Sequence, residues 1–130
     1  MREPTKEEIN LFKQIAKKYR KGIDYGDWYW HEVDEDVFLH STKEKYPYVA
    51  DAERAYIIPL WTISDCLEFL EEKTTDWSLD KDIDREGRQT GKFSFWWMPS
   101  PKYKDNYRLG KTKLEACLKA VLAVLEEKEK

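Results

Sequence analysis

A three-residue match to a nucleotide-binding motif lies at Gly110, Lys111 and Thr112, which spell the end of a phosphate-binding P-loop. A complete P-loop also needs a glycine five residues before Gly110, because that glycine lets the chain turn tightly and aim several N–H groups at a phosphate. Asp105 occupies this position. The triplet is therefore interpreted as a glycine that ends a loop and a threonine that caps a helix.

The two histidines are the next candidates, as metal ligands or catalytic bases. His31 and Glu32 begin like the zinc-protease motif, but the fifth residue is Glu35 rather than histidine. His31, Asp34, Asp36 and His40 could act together as metal ligands only if a hairpin brought them close to one another. A solvated acidic turn is the simpler interpretation. No serine, histidine and carboxylate set is recognisable either, so the sequence predicts no catalytic residue, no metal and no cofactor.

The placement of charge is more informative than any catalytic motif. The net charge is only −3, which excludes a polycation built to coat nucleic acid. Residues 24–36 nevertheless contain six acidic residues and no lysine or arginine, whereas residues 102–113 contain five basic residues and one acidic residue. These segments could equally be solvated surface, or could face each other within the fold or across a dimer.

Two sets of candidate binding residues follow from this asymmetry. The acidic set suits a positively charged protein partner, as a nucleic-acid mimic would, and consists of Asp27, Glu32, Asp34, Glu35 and Asp36. The basic set suits phosphate or nucleic acid, with tyrosine rings stacking on bases. It consists of Lys102, Tyr103, Lys104, Tyr107, Arg108 and Lys111, together with Arg85 and Arg88 from another loop. An enzyme that handles nucleotides would use Arg85, Arg88, Lys104 or Arg108 as phosphate clamps, but no base or nucleophile can be named for it.

Three helices are predicted to hold these segments in place. Thr-x-x-Glu or Thr-x-x-Asp spacings open them, over about residues 5–20, 62–73 and 112–126. Each helix has an apolar stripe at three- and four-residue steps. Cys66 and Cys117 fall within two of the stripes, so we expect both to be buried as small hydrophobic residues rather than joined in a disulfide.

Aromatic and β-branched residues predict the strands. Two short strands flank the polar break at residues 34–36, which is interpreted as a hairpin loop, and a further short strand ends at Pro59. A second pair, around residues 77–79 and 93–98, is joined by a charged loop with Gly87 and Gly91. Residues 41–54, and those after Pro99, are polar and predicted to be connections.

These elements predict one α+β domain over residues 1–130, with a small antiparallel or mixed sheet and helices packed on it. The expected order is α-β-β-(β)-α-β-β-α, with a helix over about 5–20 and a sandwich-like part over about 27–127. Aromatic residues make up 15% of the chain, which argues for a folded core. No apolar run approaches the roughly 20 residues that span a bilayer, and the start lacks a secretory signal. A cytoplasmic protein with no membrane partner is expected.

The second half of the chain also carries a family resemblance. Its residues are the stretch from Leu60 to Leu70, a Trp-rich strand pair and the stretch from Gly110 to Leu118. Together they resemble small bacteriophage and prophage proteins of the ABA-sandwich type, in which a helix, a small antiparallel sheet and an Ala/Leu-rich final helix recur. The resemblance covers roughly residues 57–126 and implies a phage or mobile-element origin. It carries over no catalytic residue.

The sequence therefore favours a non-enzymatic binding protein that binds and blocks a host protein through an acidic and aromatic surface, as an anti-defence or host-takeover inhibitor would. One alternative is binding of a nucleic acid or nucleotide through residues 102–113, and another is a nucleotide-handling enzyme. The expected location is then the host cytoplasm. The oligomeric state is left open, with a homodimer among the states considered.

Overall fold

A computed structural model describes residues 3–19, 27–39, 57–98 and 107–128, with side-chain exposure described as far as residue 126. The helices in these ranges are α1 (Lys6–Lys18), α2 (Ile63–Lys73) and α3 (Lys113–Lys128). The strands are β1 (Trp28–His31), β2 (Asp36–Leu39), β3 (Ile57–Pro59), β4 (Asp76–Ile83), β5 (Gln89–Met98) and β6 (Tyr107–Gly110). The predicted α+β class is confirmed, and the order agrees with the prediction except for the additional strand β6.

The chain forms two compact units, Met1–Leu60 and Trp61–Lys130. The first contains α1 and the antiparallel sheet β2-β1-β3, and the second contains α2, α3 and the antiparallel sheet β4-β5-β6. The division into two sheets is a feature that the sequence pattern did not indicate. A single domain over residues 1–130 stays a prediction.

In the first unit, helix α1 begins at the predicted capping box. The Thr5 hydroxyl accepts a hydrogen bond from the Glu8 N–H at 3.1 Å, and the Glu8 carboxylate accepts one from the Thr5 N–H at 2.8 Å. The helix packs on β3, and its apolar stripe, including Phe12 and Ile15, is buried together with Ile57 and Ile58. The burial of these apolar side chains holds α1 against one edge of the sheet.

In the second unit, α2 and α3 cover one face of the sheet. Helix α2 begins at a second capping box, in which Thr62 accepts from the Asp65 N–H at 3.1 Å and Asp65 accepts from the Thr62 N–H at 2.9 Å. Phe95 and Trp97 on β5 are fully buried beneath the helices. Both cysteines are also fully buried as thiols outside any disulfide, which confirms their predicted burial.

The junction between β6 and α3 explains the glycine of the P-loop-like triplet. A Cβ atom at Gly110 would lie 2.4 Å from the backbone nitrogen of Ala116, so the strand and the first turn of α3 can approach only where there is no side chain. Thr112 accepts a hydrogen bond from the Glu115 N–H at 3.0 Å, as a helix cap does. The structural interpretation of this triplet is confirmed.

Lys119 ties α3 to the end of β6. Its ammonium group donates to the Leu109 carbonyl at 2.9 Å and lies 3.1 Å from the buried Glu115 carboxylate. The ammonium group thus supplies the counter-charge that a buried carboxylate requires.

Two boundaries differ from the predictions. Residues 107–110, expected in a polar loop, form strand β6 beside the central strand of the second sheet. Strand β4 extends to Ile83, so the predicted loop over residues 81–91 is reduced to a turn at residues 84–88. The connection predicted over residues 41–54 lies outside the described residues. Within the described part of the chain, no helix combines the length and the hydropathy needed to cross a membrane.

Candidate partner-binding surface on the β1–β2 hairpin

The acidic set is centred on the hairpin formed by β1 and β2. The two strands pair antiparallel, and residues 32–35 form the turn between His31 and Asp36, which are partners in the ladder. Glu35 in this turn has a φ of 49°, a left-handed conformation that residues other than glycine rarely adopt. The predicted hairpin is confirmed, with its turn beginning two residues earlier than expected.

His31 helps to close the turn. Its Nδ1 accepts a hydrogen bond from the Asp34 N–H at 3.3 Å, and the same nitrogen lies 3.6 Å from the Asp34 carboxylate. No three His, Cys, Asp or Glu side chains gather as a metal site within the described ranges, and His40 lies outside them.

The five acidic candidates have different surroundings. Asp34, Glu35 and Asp36 are exposed together at the turn. Glu32 instead forms an ion pair with Lys13 of α1 at 2.8 Å, and Asp27 is half-buried directly before β1. The structure therefore brings three of the five candidates to one exposed end of the hairpin.

Aromatic side chains lie next to this acidic turn. The rings of Tyr29 and Phe38 are stacked with centroids 5.9 Å apart, and the His31 ring meets Phe38 edge-on at 6.2 Å. Alternation along β1 places Tyr29 and His31 on the face opposite Trp30, which lies beneath the Lys13 ammonium group. The rings of Tyr29, His31 and Phe38 therefore share one face of the hairpin, and Trp30 lies on the other.

Several apolar side chains of the hairpin remain in contact with solvent. Val33 is 65% exposed, Leu39 is 45% exposed and Phe38 is 37% exposed. We use the name hairpin surface for the exposed apolar and acidic side chains together, which are Val33, Asp34, Glu35, Asp36, Phe38 and Leu39. Phe38 shares a face of β2 with Asp36, whereas Leu39 is directed to the opposite face. Exposed apolar side chains beside charged residues are typical of a protein interaction site.

The sequence predicted an acidic and aromatic surface but did not identify Phe38 and Leu39 as its exposed apolar residues. Phe38 and Leu39 match a strand pattern, and large apolar residues in strands are normally buried in a core. The available signal was the shortness of β2 directly after an acidic turn, because short strands with adjacent charges often lie at the edges of sheets.

The described members of the basic set are used largely within the second unit. The Arg108 guanidinium lies 5.7 Å from the centroid of the buried Trp97 ring and donates to the Tyr107 carbonyl at 2.8 Å. The Tyr107 hydroxyl donates to the Asp82 carboxylate at 2.8 Å. The tyrosine that was expected to stack on a base is therefore held by a carboxylate.

The Tyr107 and Asp82 pair has a clear electrostatic signature. The Asp82 pKa is lowered, first by the hydrogen bond from Tyr107 and second by one from the Thr90 hydroxyl at 2.8 Å. The Tyr107 pKa is raised, first by desolvation and then by the Asp82 carboxylate. An aspartate that stays ionised beside the ring repels an approaching phosphate.

The remaining basic candidates lie in the β4–β5 turn, before α3, or outside the described residues. Arg85 and Arg88 lie in the turn between β4 and β5, where Arg88 pairs with Glu86 at 3.3 Å. The Asp84 carboxylate accepts the N–H groups of Glu86 and Arg88, both at 2.9 Å. Lys111 is exposed before α3, and Lys102, Tyr103 and Lys104 lie outside the described residues. Among the described basic candidates, Arg88 and Tyr107 each contact a carboxylate.

Comparison with known proteins adds no assignment. No protein-family model, curated protein or solved structure matches the chain. The resemblance to phage proteins stays a prediction, and the case for a function depends on the geometry of the hairpin.

Proposed function

We propose that this chain is a non-enzymatic binding protein that contacts a partner protein through the hairpin surface. The observation that carries the proposal is that Phe38 and Leu39, one on each face of β2, are exposed on the same hairpin as the carboxylates of Asp34, Glu35 and Asp36. Apolar side chains supply the area that a partner can remove from water. Carboxylates beside them supply orientation and selectivity for a positively charged surface.

The charges on the hairpin surface favour a protein partner over a nucleic acid. Three exposed carboxylates repel a phosphate backbone, whose binding depends on lysine and arginine contacts. In the second unit, Arg108 lies over Trp97 and Arg88 pairs with Glu86, so these cations already have partners. Nucleic-acid or nucleotide binding through residues 102–113 stays an alternative prediction without a specific structural observation in its favour.

The proposed partner has a basic patch next to an apolar one. Proteins that bind nucleic acids commonly carry such basic surfaces, and the three clustered carboxylates would occupy one as a nucleic-acid mimic does. The resemblance to phage proteins makes host-cell proteins of this kind the first partners to test. Blocking such a protein is the action that we propose.

The test is affinity capture from bacterial lysate with the full chain and two matched variants. The first variant, Phe38→Ser with Leu39→Ser, removes apolar area from the hairpin surface. The second, Asp34→Asn with Glu35→Gln and Asp36→Asn, removes its charge with little change of shape. We expect both to reduce recovery of the same partner by at least about tenfold, which corresponds to about 1.4 kcal/mol of binding free energy.

A control variant changes the other hairpin of the chain. Ile83→Ser with Glu86→Gln alters one exposed apolar and one exposed acidic residue of the β4–β5 hairpin. It should capture the partner at the level of the unmodified chain. Equal capture by the β1–β2 variants and the unmodified chain would overturn the proposal, as would a partner that is released by nuclease.

A further inference from the structure

We infer that the outer edge of β2 binds an extended segment of the partner as an added β-strand, with a lysine or arginine of that segment beside Asp36. The inference rests on the proposed function and specifies how the hairpin surface is used. It assigns a binding role to the backbone of β2, in addition to its side chains. Strand addition of this kind is a recurring mode of peptide recognition.

The two edges of the first sheet differ in their availability. In the order β2-β1-β3, strand β3 forms one edge, but its side chains are buried and it ends at Pro59, which has no N–H to donate. Strand β2 forms the other edge, with three of its four side chains exposed. Among the described residues, β1 is the only strand that pairs with β2. Of the two edges, β2 is therefore the one suited to receive a partner strand.

One backbone donor of β2 is held by a side chain of the same strand. The N–H of Val37 donates to the Asp36 carboxylate at 2.8 Å. The Leu60 N–H donates to the Trp28 carbonyl at 3.2 Å, so Trp28 and, by alternation, Trp30 direct their backbone groups away from β2. Val37 is the ladder partner of Trp30, so its N–H is directed away from β1. The Asp36 carboxylate thus covers a donor that an added strand would use.

Binding of a strand would exchange one acceptor for another. A backbone carbonyl of the partner would take the Val37 N–H, and the displaced Asp36 carboxylate would then need a cation. A lysine or arginine on the incoming strand satisfies it, whereas an acidic side chain would be repelled by Asp34 and Asp36. The hydrogen bond within β2 therefore selects a basic segment and disfavours pairing with neutral strands.

The alternation of β2 sets the side-chain pattern of the partner. Asp36 and Phe38 lie on one face, in register with His31 and Tyr29 of β1. On that face the partner segment should carry a basic residue and, two positions away, an apolar residue that packs on Phe38. The expected motif is basic, any residue, apolar, within an extended segment.

The first test uses a synthetic peptide against the full chain. The peptide is a blocked octamer that repeats Lys-Thr-Val-Thr, so lysine and valine alternate along one face of the extended chain. It has two controls: one carries glutamate in place of lysine, and the other is N-methylated on alternate backbone amides. Backbone amide shifts of the ¹⁵N-labelled chain are followed by NMR up to a peptide concentration of about 1 mM, the scale of a weak contact. We expect shifts at Val37 and Leu39 with the lysine peptide and at least about tenfold weaker binding of both controls. Absence of these shifts, or equal binding of the N-methylated peptide, would overturn strand addition.

A backbone variant provides a second readout with the captured partner. Val37→Pro removes the outward N–H but no hydrogen bond to β1, so it is compatible with an edge strand, and Val37→Thr is its matched control. We expect Val37→Pro alone to reduce capture by at least about tenfold. If Val37→Pro does not fold, as shown by loss of the native NMR spectrum, the comparison of the N-methylated and unmethylated peptides decides whether strand addition stands.

The outcomes separate the two proposals. Capture that depends on Phe38 and Leu39 but not on the Val37 N–H would overturn strand addition and leave the proposed function intact. Capture that is independent of the hairpin side chains would overturn the proposed function. The unmodified chain could sediment as a dimer while the Val37→Pro variant sediments as a monomer. That result would show that a second copy occupies the β2 edge and would overturn the inference that a segment of the partner binds there.

Discussion

The β1–β2 and β4–β5 hairpins are built from similar residues but use them differently. Both have an edge strand that begins with an aspartate, and in both the carboxylate accepts the N–H of the next residue, at 2.8 Å in β2 and 2.9 Å in β4. Phe95 and Trp97 of β5 are fully buried, whereas Phe38 of β2 is 37% exposed. The difference follows from the helices that cover one face of the second sheet.

The two hairpins also differ in the type of residue that adopts a positive φ. The β4–β5 hairpin places glycines at positive φ, Gly87 at 80° and Gly91 at 81°, where glycine has little steric cost. The β1–β2 hairpin places Glu35 at a φ of 49°. The comparison teaches that aromatic content alone does not distinguish a core hairpin from a surface hairpin, because the packing of other elements decides.

The largest expected contrast is between aromatic residues of the two hairpins. Trp97→Ala should lower the free energy of unfolding by about 3–5 kcal/mol, because it removes a fully buried ring and leaves a cavity. Phe38→Ala should cost less than about 1 kcal/mol, since its ring already contacts solvent. Urea titration followed by circular dichroism measures both values. Similar losses in the two variants would mean that Phe38 belongs to a core.

A second contrast concerns two glycines of the second unit. Gly110→Ala should cost about 2–3 kcal/mol, because the new Cβ would clash with the backbone of Ala116 at the start of α3. Gly87→Ala meets no atom within 4 Å and should cost about 1 kcal/mol from its positive φ alone. The same titration ranks the two variants. The reverse order would show that backbone strain outweighs close packing at these sites.

These glycines illustrate how much of the fold was predictable. Capping pairs at Thr5 and Thr62, the acidic hairpin and the buried cysteines follow local rules, and the structure confirms them. Strand β6 was missed because Tyr107–Gly110 is short and basic, and its pairing with β5 is a contact between segments distant in sequence. Local patterns do not encode such pairing.

The candidate site was predictable in its charges, but the identity of its exposed apolar residues was not. Asp34, Glu35 and Asp36 are consecutive, so any tight turn would expose them together. The exposure of Phe38 depends on which elements cover the sheet, which the sequence pattern did not reveal. Glu32 was assigned to a partner, but its ion pair with Lys13 joins the hairpin to α1.

An alkaline pH dependence should come from the buried thiol of the second unit. Burial raises the pKa of Cys117 to about 12, whereas the pKa of a thiol in an unfolded chain is about 8.5. The unfolded chain therefore loses this proton first, and the free energy of unfolding should fall as the pH rises between these values. Stability measured by urea titration from pH 7 to 11 should show this decline. Cys117→Ala should make this decline with pH shallower. If the slope of stability against pH is unchanged in the variant, the decline comes from other groups, such as Tyr107, whose pKa is also raised.

The smallest expected effect is at the hydrogen bond between Tyr107 of β6 and Asp82 of β4. Tyr107→Phe removes the hydrogen bond that contributes most to the lowered pKa of Asp82, so that pKa should rise toward 3.8. The bond stabilises the fold above the unfolded pKa, and this contribution is lost as the pH falls through the lowered value. NMR titration of the Asp82 carboxyl carbon measures the shift. Thr90→Val should produce a smaller rise, and no rise in either variant would contradict the assigned causes.

The left-handed turn residue Glu35 has a consequence for how the hairpin can be changed. A residue with a side chain pays about 1 kcal/mol to adopt this conformation, which glycine or asparagine would adopt at lower cost. Replacing Glu35 with glycine should therefore strengthen the turn while removing one of its three exposed charges. At this position the carboxylate adds to the exposed negative charge of the hairpin but lowers the stability of the turn, and the native chain retains the carboxylate.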